Sequence, residues 1–214
     1  MKTIYIVGGD GFARECYNNL IKLPTYNREI IFGGFLGHGG YGKTVDYKSY
    51  QHLYIGEVSE HEFLDNEYVI IGAGYPTLRQ KIYLELKNKN INFYNLISND
   101  SKLSESVLLG EANIIISSSA TVNISIGNCN VFNDMINIGH DVEIGDFNFF
   151  GPRSQALGNT KVGSFNQIGA NTILLPKTKI GDNNIIAPLS AVYKGCKNNC
   201  YMSGNPAVKI GQVE

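Results

Sequence analysis

Hydrophobic positions along this chain follow two different periods, and the change falls near residue 98. In the second part every sixth residue is apolar: Leu108, Ile114, Ala120, Ile126, Phe132, Ile138, Ile144, Phe150, Ala156, Val162, Ile168, Leu174, Ile180, Ile186 and Val192. Fifteen successive hits in a chain that is 43% hydrophobic are far beyond chance. Glycine follows the apolar residue at Gly127, Gly139, Gly145, Gly151, Gly163, Gly169 and Gly181, and small or polar groups such as Ser118, Asn130, Ser154, Thr160 and Thr172 come four residues after it. A six-residue period with one large inward residue predicts a triangular coil, each unit giving a short strand and a corner. Fifteen units at three per turn make five 18-residue turns, stacked about 4.8 Å apart. The corner glycines are expected to serve a positive φ. Such a coil gains its core only by stacking neighbours.

Residues 1–98 read as α/β. Thr3 to Val7 is an apolar, β-branched strand, followed by a glycine turn and an amphipathic segment from Phe12 to Leu23. Ile30 to Leu36 and Tyr68 to Ile71 are further strand candidates. Pro76 opens a helix (PTLRQKIYLELKNK), with proline in the first turn where its missing N–H costs nothing. Ile91 to Ile97 closes the unit. Strand–helix alternation predicts a small parallel sheet covered by helices, Rossmann-like in plan. The expected domains are therefore 1–98 and 99–214.

Composition narrows the partners. A net charge of −1 carries no electrostatic footprint for nucleic acid or an anionic membrane. No apolar stretch is long enough to span a bilayer, and the chain opens directly on a strand rather than a charged and then apolar leader, so a cytoplasmic protein is expected. Cys16, Cys129, Cys196 and Cys200 lack metal-ligand spacing and read as reduced structural thiols.

Two segments carry candidate chemistry. Gly8 to Arg14 is a strand-to-helix loop whose N–H groups could meet a phosphate; a tight turn that needs glycine for geometry alone explains it nearly as well. Gly9-x-Gly11 lacks the third glycine of the dinucleotide fingerprint, and no acidic residue ends the second strand, which argues against NAD. Arg14 is expected to pair with Glu15 or Asp10, and Lys43 to be a solvated loop residue rather than a phosphate contact. In the repeats, His140 follows a corner glycine at a position that is not inward, with Asp141 beside it; a solvated corner residue is the bland alternative to a base. Of Phe147, Phe149 and Phe150, only Phe150 falls at an inward position, so the other two are expected to face outward, toward an interface.

The repeats resemble those of the hexapeptide-repeat acyltransferases. The order GGDGFARE (Gly8 to Glu15), NIGHDVEIGD (Asn137 to Asp146) and SGNPAVKI (Ser203 to Ile210) is similar to bacterial sugar acetyltransferases that make di-N-acetylbacillosamine, N-acetylperosamine and O-acetylated sialic acid. The resemblance spans nearly the whole chain. It implies a left-handed parallel β-helix, a homotrimer, and acetyl-CoA held in the groove between two β-helices. It also implies that His140 is the catalytic base, that Asp141 raises its basicity, and that Asn133 lies near the acceptor. Gly158, one coil after His140, matches the glycine whose N–H meets the thioester carbonyl. Phe149 stands where some relatives carry a second, CoA-facing histidine; Ala170 and Pro188 stand where relatives set backbone groups against CoA. Gly9, Asp10 and Gly11 would contact a nucleotide-linked sugar in the N-terminal domain.

The resulting expectation is an acetyl-CoA-dependent N-acetyltransferase acting on a nucleotide-linked 4-amino-deoxy sugar, with no metal. Sugar or sialic acid O-acetylation is the variant within the same chemistry, and a non-catalytic trimeric scaffold the alternative of another class. A γ-class carbonic anhydrase, which shares the coil, needs three zinc histidines, and the repeats hold His140 alone.

Overall fold

The computed structural model describes residues 1–39 and 49–213, so Lys43 lies outside the described residues. The chain forms two compact units, Met1–Asn99 and Asp100–Glu214.

The first unit is a five-stranded sheet built from β1 (Lys2–Val7), α1 (Gly11–Leu20), β2 (Ile30–Gly37), β3 (Tyr54–Glu57), β4 (Glu67–Ile71), α2 (Pro76–Asn88) and β5 (Asn92–Phe93). Its strand order is β3-β2-β1-β4-β5, and every pairing is parallel. The central strands are apolar on both faces because helices cover both sides: Ile4, Ile6, Val69, Ile70 and Ile71 are fully buried. Helix α1 buries Ala13, Cys16 and Leu20, one stripe at helical spacing, and ends at Leu20 rather than Leu23. Burial pushes the Cys16 thiol well above its ordinary range, which suits an inert core cysteine, and none of the four cysteines is in a disulfide. Strand β3 is a four-residue element that the apolar pattern did not announce. The segment expected as one strand at 91–97 is split into Asn92–Phe93 and Leu96–Ile97.

The strand order reverses between β1 and β4, and there the backbone is tight. Gly8 has φ +131°, and a side chain on Gly72 would sit 2.8 Å from the Cβ of Ala13. Glycine at both positions lets the β1–α1 turn close against the end of β4.

The second unit is a parallel β-solenoid of short strands in three stacked faces. The first face holds Asn137–Ile138 and its neighbours, the second Glu143–Ile144, and the third Phe149–Phe150. From Ala120 to Val192 the six-residue ladder holds as expected, and none of its inward side chains is more than 4% exposed. Burying each large aliphatic there contributes about 1.5–3 kcal/mol, and Phe132 stacks on Phe150 at 5.0 Å inside the coil.

The first coil departs from the ladder. It begins at Lys102–Leu103, and the inward residues are Leu103, Leu109 and Ile115, aligned with Ala120, Ile126 and Phe132. The corner between Ile115 and Ala120 is one residue shorter than the others, which shifts the register. Leu108 is therefore 71% exposed rather than inward, and Ile114 pairs with Val131 in an outward column.

The corner glycines also act differently from expectation. None has a positive φ; the left-handed positions come two residues later, at Cys129, Asp141, Phe147, Arg153, Phe165, Asn171 and Asn183. Glycine is needed because coils stack closely: a Cβ on Gly145 would lie 2.8 Å from the Gly163 carbonyl oxygen. Phe147 is not outward either. It is buried in its corner and stacks on Phe165 at 5.1 Å.

One edge, joining the second and third faces, carries a buried asparagine ladder. Asn148, Asn166 and Asn184 each donate Nδ2 to the Oδ1 of the asparagine one coil earlier, at 3.0, 3.0 and 2.9 Å. Their backbone N–H groups donate to the same oxygens at 2.9 Å. Buried amides are stable only when bonded, and the ladder satisfies each from the coil beneath. Beyond Val192, Cys200–Gly204 adds a parallel strand to the third face, and Ala207–Gln212 returns antiparallel along it.

Candidate active site

The edge joining the first and second faces holds the candidate chemistry. His140 follows the strand Asn137–Ile138, and Asp141 takes a left-handed φ of +58°. That turn brings two sequence neighbours together: Nδ1 of His140 lies 2.7 Å from Oδ2 of Asp141. The other carboxylate oxygen accepts from Nδ2 of Asn123, one coil earlier, at 3.2 Å. The backbone is fixed on both sides, since Asp141 N–H donates to the Val122 carbonyl and Asn159 N–H to the His140 carbonyl. With its carboxylate bound first by His140 and then by Asn123, Asp141 is held below the ordinary aspartate range.

When Nδ1–H is donated to Asp141, Nε2 keeps its lone pair. That atom lies over Gly158: a side chain there would meet Nε2 at 2.6 Å. The Gly158 N–H makes no hydrogen bond among the described residues. Gly139 keeps it uncovered, because a Cβ on Gly139 would sit 2.8 Å from the Gly158 nitrogen. An imidazole, a carboxylate and an open backbone donor thus share one edge. His140 and Asp141 are more than 40% exposed. Asp141 and Asn123 also border a groove of about 1000 Å³ on the second face, whose wall includes the Glu143–Lys161 ion pair at 2.6 Å.

The remaining candidates fall elsewhere. Asn133, Ala170 and Pro188 lie on the edge joining the third and first faces, and half-buried Phe149 lies on the third face. Within one chain these do not meet His140. Gly9, Asp10 and Gly11 form the turn into α1. There Asp10 is the helix cap, its carboxylate accepting from the Ala13 N–H at 3.3 Å, and Arg14 donates to the Gly9 carbonyl at 3.1 Å. A carboxylate already stands at the N-terminal end of α1 and satisfies one of its free N–H groups.

The other histidines sit in the first unit. His61 binds the carboxylate of buried Glu67. His38, buried just after β2, lies 2.8 Å from Oε2 of Glu85. An acidic group is therefore present near the end of β2, although it comes from α2; its distance in sequence hid it. Asn123 was also missed, and its signal was available: it precedes Asp141 by 18 residues, one full coil. Among the described residues no group of three or more His, Cys, Asp or Glu could hold a metal ion, and no helix is long and apolar enough to cross a membrane.

Residues 159–194 match the family model described as bacterial transferase hexapeptide (six repeats). The matched residues span two 18-residue turns of the solenoid. Similar solved structures extend over both units. PerB from Caulobacter crescentus, solved with CoA and GDP-perosamine, has a TM-score of 0.84 at 20% identity, covering 99% of this chain and 98% of that one. WeeI from Acinetobacter baumannii AYE has a TM-score of 0.85 at 23% identity, covering 98% and 100%. The acetyltransferase domain of PglB from Neisseria gonorrhoeae FA1090, solved with acetyl coenzyme A, has a TM-score of 0.86 at 16% identity, covering 98% and 99%. No curated protein matches the sequence.

Proposed function

We propose that the protein is an acetyl-CoA-dependent N-acetyltransferase that acts on a nucleotide-linked 4-amino-deoxy sugar. The observation that carries this reading is the edge on which Nε2 of His140 lies over Gly158 while Asp141 binds Nδ1. The repeat match and the CoA or acetyl-CoA in similar structures support the donor. The GDP-perosamine of the Caulobacter protein supports the acceptor class. Acetyl-CoA is a cytoplasmic metabolite, so the reaction is assigned to the cytoplasm.

In this mechanism the sugar amine attacks the thioester carbonyl carbon, and His140 Nε2 takes the proton released from nitrogen. Asp141 stabilises the imidazolium formed. The Gly158 N–H donates to the carbonyl oxygen as it becomes negative. Collapse of the tetrahedral intermediate breaks the C–S bond, and the imidazolium returns its proton to the departing thiolate. A positioned base is worth about 10²–10⁴ in rate, and one oxyanion donor about 10²–10³. Asp10 and the flanking Gly9 and Gly11, at the turn where the strand order reverses, are assigned to the acceptor, since ligands of such sheets sit at the switch point.

The full site takes two chains in this reading. Phe149, Ala170 and Pro188, assigned to the CoA arm, and Asn133, assigned to the acceptor, lie away from the His140 edge. They complete a site only if neighbouring solenoids pack side by side, as in a closed homotrimer. Thiol release from acetyl-CoA, measured across UDP-, GDP- and dTDP-linked 4-amino sugars and their 4-hydroxy counterparts, tests the activity. Turnover with an amino sugar, abolished in His140→Ala, is expected. Turnover confined to the hydroxy sugars would make it an O-acetyltransferase. No turnover, together with no rise in melting temperature on adding acetyl-CoA, would leave a scaffold.

A further inference from the structure

The carboxylate of Asp141 has two oxygens, and both are engaged: Oδ2 faces Nδ1 of His140 at 2.7 Å, and Oδ1 accepts from Nδ2 of Asn123 at 3.2 Å. Asn123 is itself held, its backbone N–H donating to Oγ of Ser106 at 3.0 Å, a further coil away. The line Ser106–Asn123–Asp141–His140 therefore runs up one edge, each member fixed by the coil beneath or by its neighbour. An aspartate exposed to water turns freely about its last torsion, a broad, roughly two-fold rotor. With one oxygen pinned by an amide donor, the other keeps a constant direction toward the imidazole.

We propose that Asn123 is a positioning residue for the base. Its amide holds the Asp141 carboxylate so that Oδ2 fixes the orientation and tautomer of His140, leaving Nε2 unprotonated over Gly158. The inference rests on His140 acting as the base.

The competing account is purely local. Asn123 has φ +57°, and asparagine is favoured in that conformation whatever its amide does. Asn123→Gly separates the two, since glycine adopts that φ at no cost and removes only the amide. Asn123→Asp keeps the shape but replaces the donor by an acceptor that faces another carboxylate.

The experiment measures ring nitrogen resonances of ¹⁵N-histidine-labelled full-length protein, with kcat and KM for acetyl-CoA against GDP-perosamine as acceptor. In the parent, His140 is expected to show one dominant neutral tautomer with the proton on Nδ1. Asn123→Gly should mix the tautomers and lower kcat on the order of ten- to a hundredfold with KM for acetyl-CoA unchanged, while melting stays at or above the parent value. Asn123→Asp should lose at least as much. An unaltered His140 tautomer in Asn123→Gly, or full kcat, would overturn the positioning role. Full kcat in His140→Ala would instead remove the base assignment beneath it, an outcome distinct from the first. The nitrogen resonances need no acceptor and decide the point even where GDP-perosamine is not turned over.

Discussion

The imidazole of His140 occupies the space that a side chain on Gly158 would fill, with Nε2 2.6 Å from the position of its Cβ. Residues 18 apart in sequence are thus one contact pair, and the glycine is a requirement of the histidine's placement rather than of its own backbone.

Gly158→Ala should push the imidazole off its seat. Alanine has no conformational difficulty there, because φ is not positive. The expected result is a loss of kcat on the order of a hundredfold with stability changed by less than about 1 kcal/mol. Thiol release and thermal melting, measured on the same sample, check both halves.

Asp141 should titrate below the ordinary aspartate range, because His140 and then Asn123 bind its carboxylate. Its folded-state pKa is depressed, so its favourable interactions are fully present above the unfolded value and are lost as pH falls through the folded one. Removing His140 removes the first cause. In His140→Ala the Asp141 carboxyl midpoint, followed by ¹³C shift, should move upward, and in Asn123→Gly it should move upward by less.

If two chains make each site, defects on different edges should complement. His140→Ala and Ala170→Trp are each expected to be inactive alone as homotrimers. Co-expressed and purified as mixed trimers, they should recover a fraction of parent activity, because some sites pair an intact His140 edge with an intact Ala170 edge. Mixtures that stay inactive would overturn the two-chain site.

Asn148→Ala should act on stability. It removes the oxygen that receives both the Asn166 backbone N–H and its Nδ2, each at 2.9 or 3.0 Å. Two buried donors left without an acceptor cost about 1–3 kcal/mol each. A marked fall in the denaturation midpoint is expected, whereas Asn123→Gly, at the exposed edge, should show none.

Legibility in the sequence follows physical range. The six-residue ladder from Ala120 to Val192 shows plainly because each inward position meets the same environment. Leu108 and Ile114 misled because their neighbours Leu109 and Ile115 are apolar too, so the one five-residue step, Ile115 to Ala120, leaves no gap in the ladder. The glycines were correctly marked as corner residues but assigned to dihedral freedom, whereas their constraint comes from a neighbouring coil. The asparagine ladder repeats at 18, not six, so a reading in steps of six interleaves its members with residues of the other two edges. His140 and Asp141 were recognisable as candidates. Their contact depends on the left-handed turn at Asp141, and the partner Asn123 becomes visible only once coils are stacked.

The short first coil has a consequence for how such a chain can change length. A residue is absent from one corner, yet every strand above it keeps its partners and the His140–Gly158 pair keeps its 18-residue step. Corners thus work as expansion joints: a deletion there is absorbed locally. The same deletion within a strand would turn every later side chain from inside to outside. A change of length at an edge away from His140 can therefore leave the His140–Gly158 pair undisturbed.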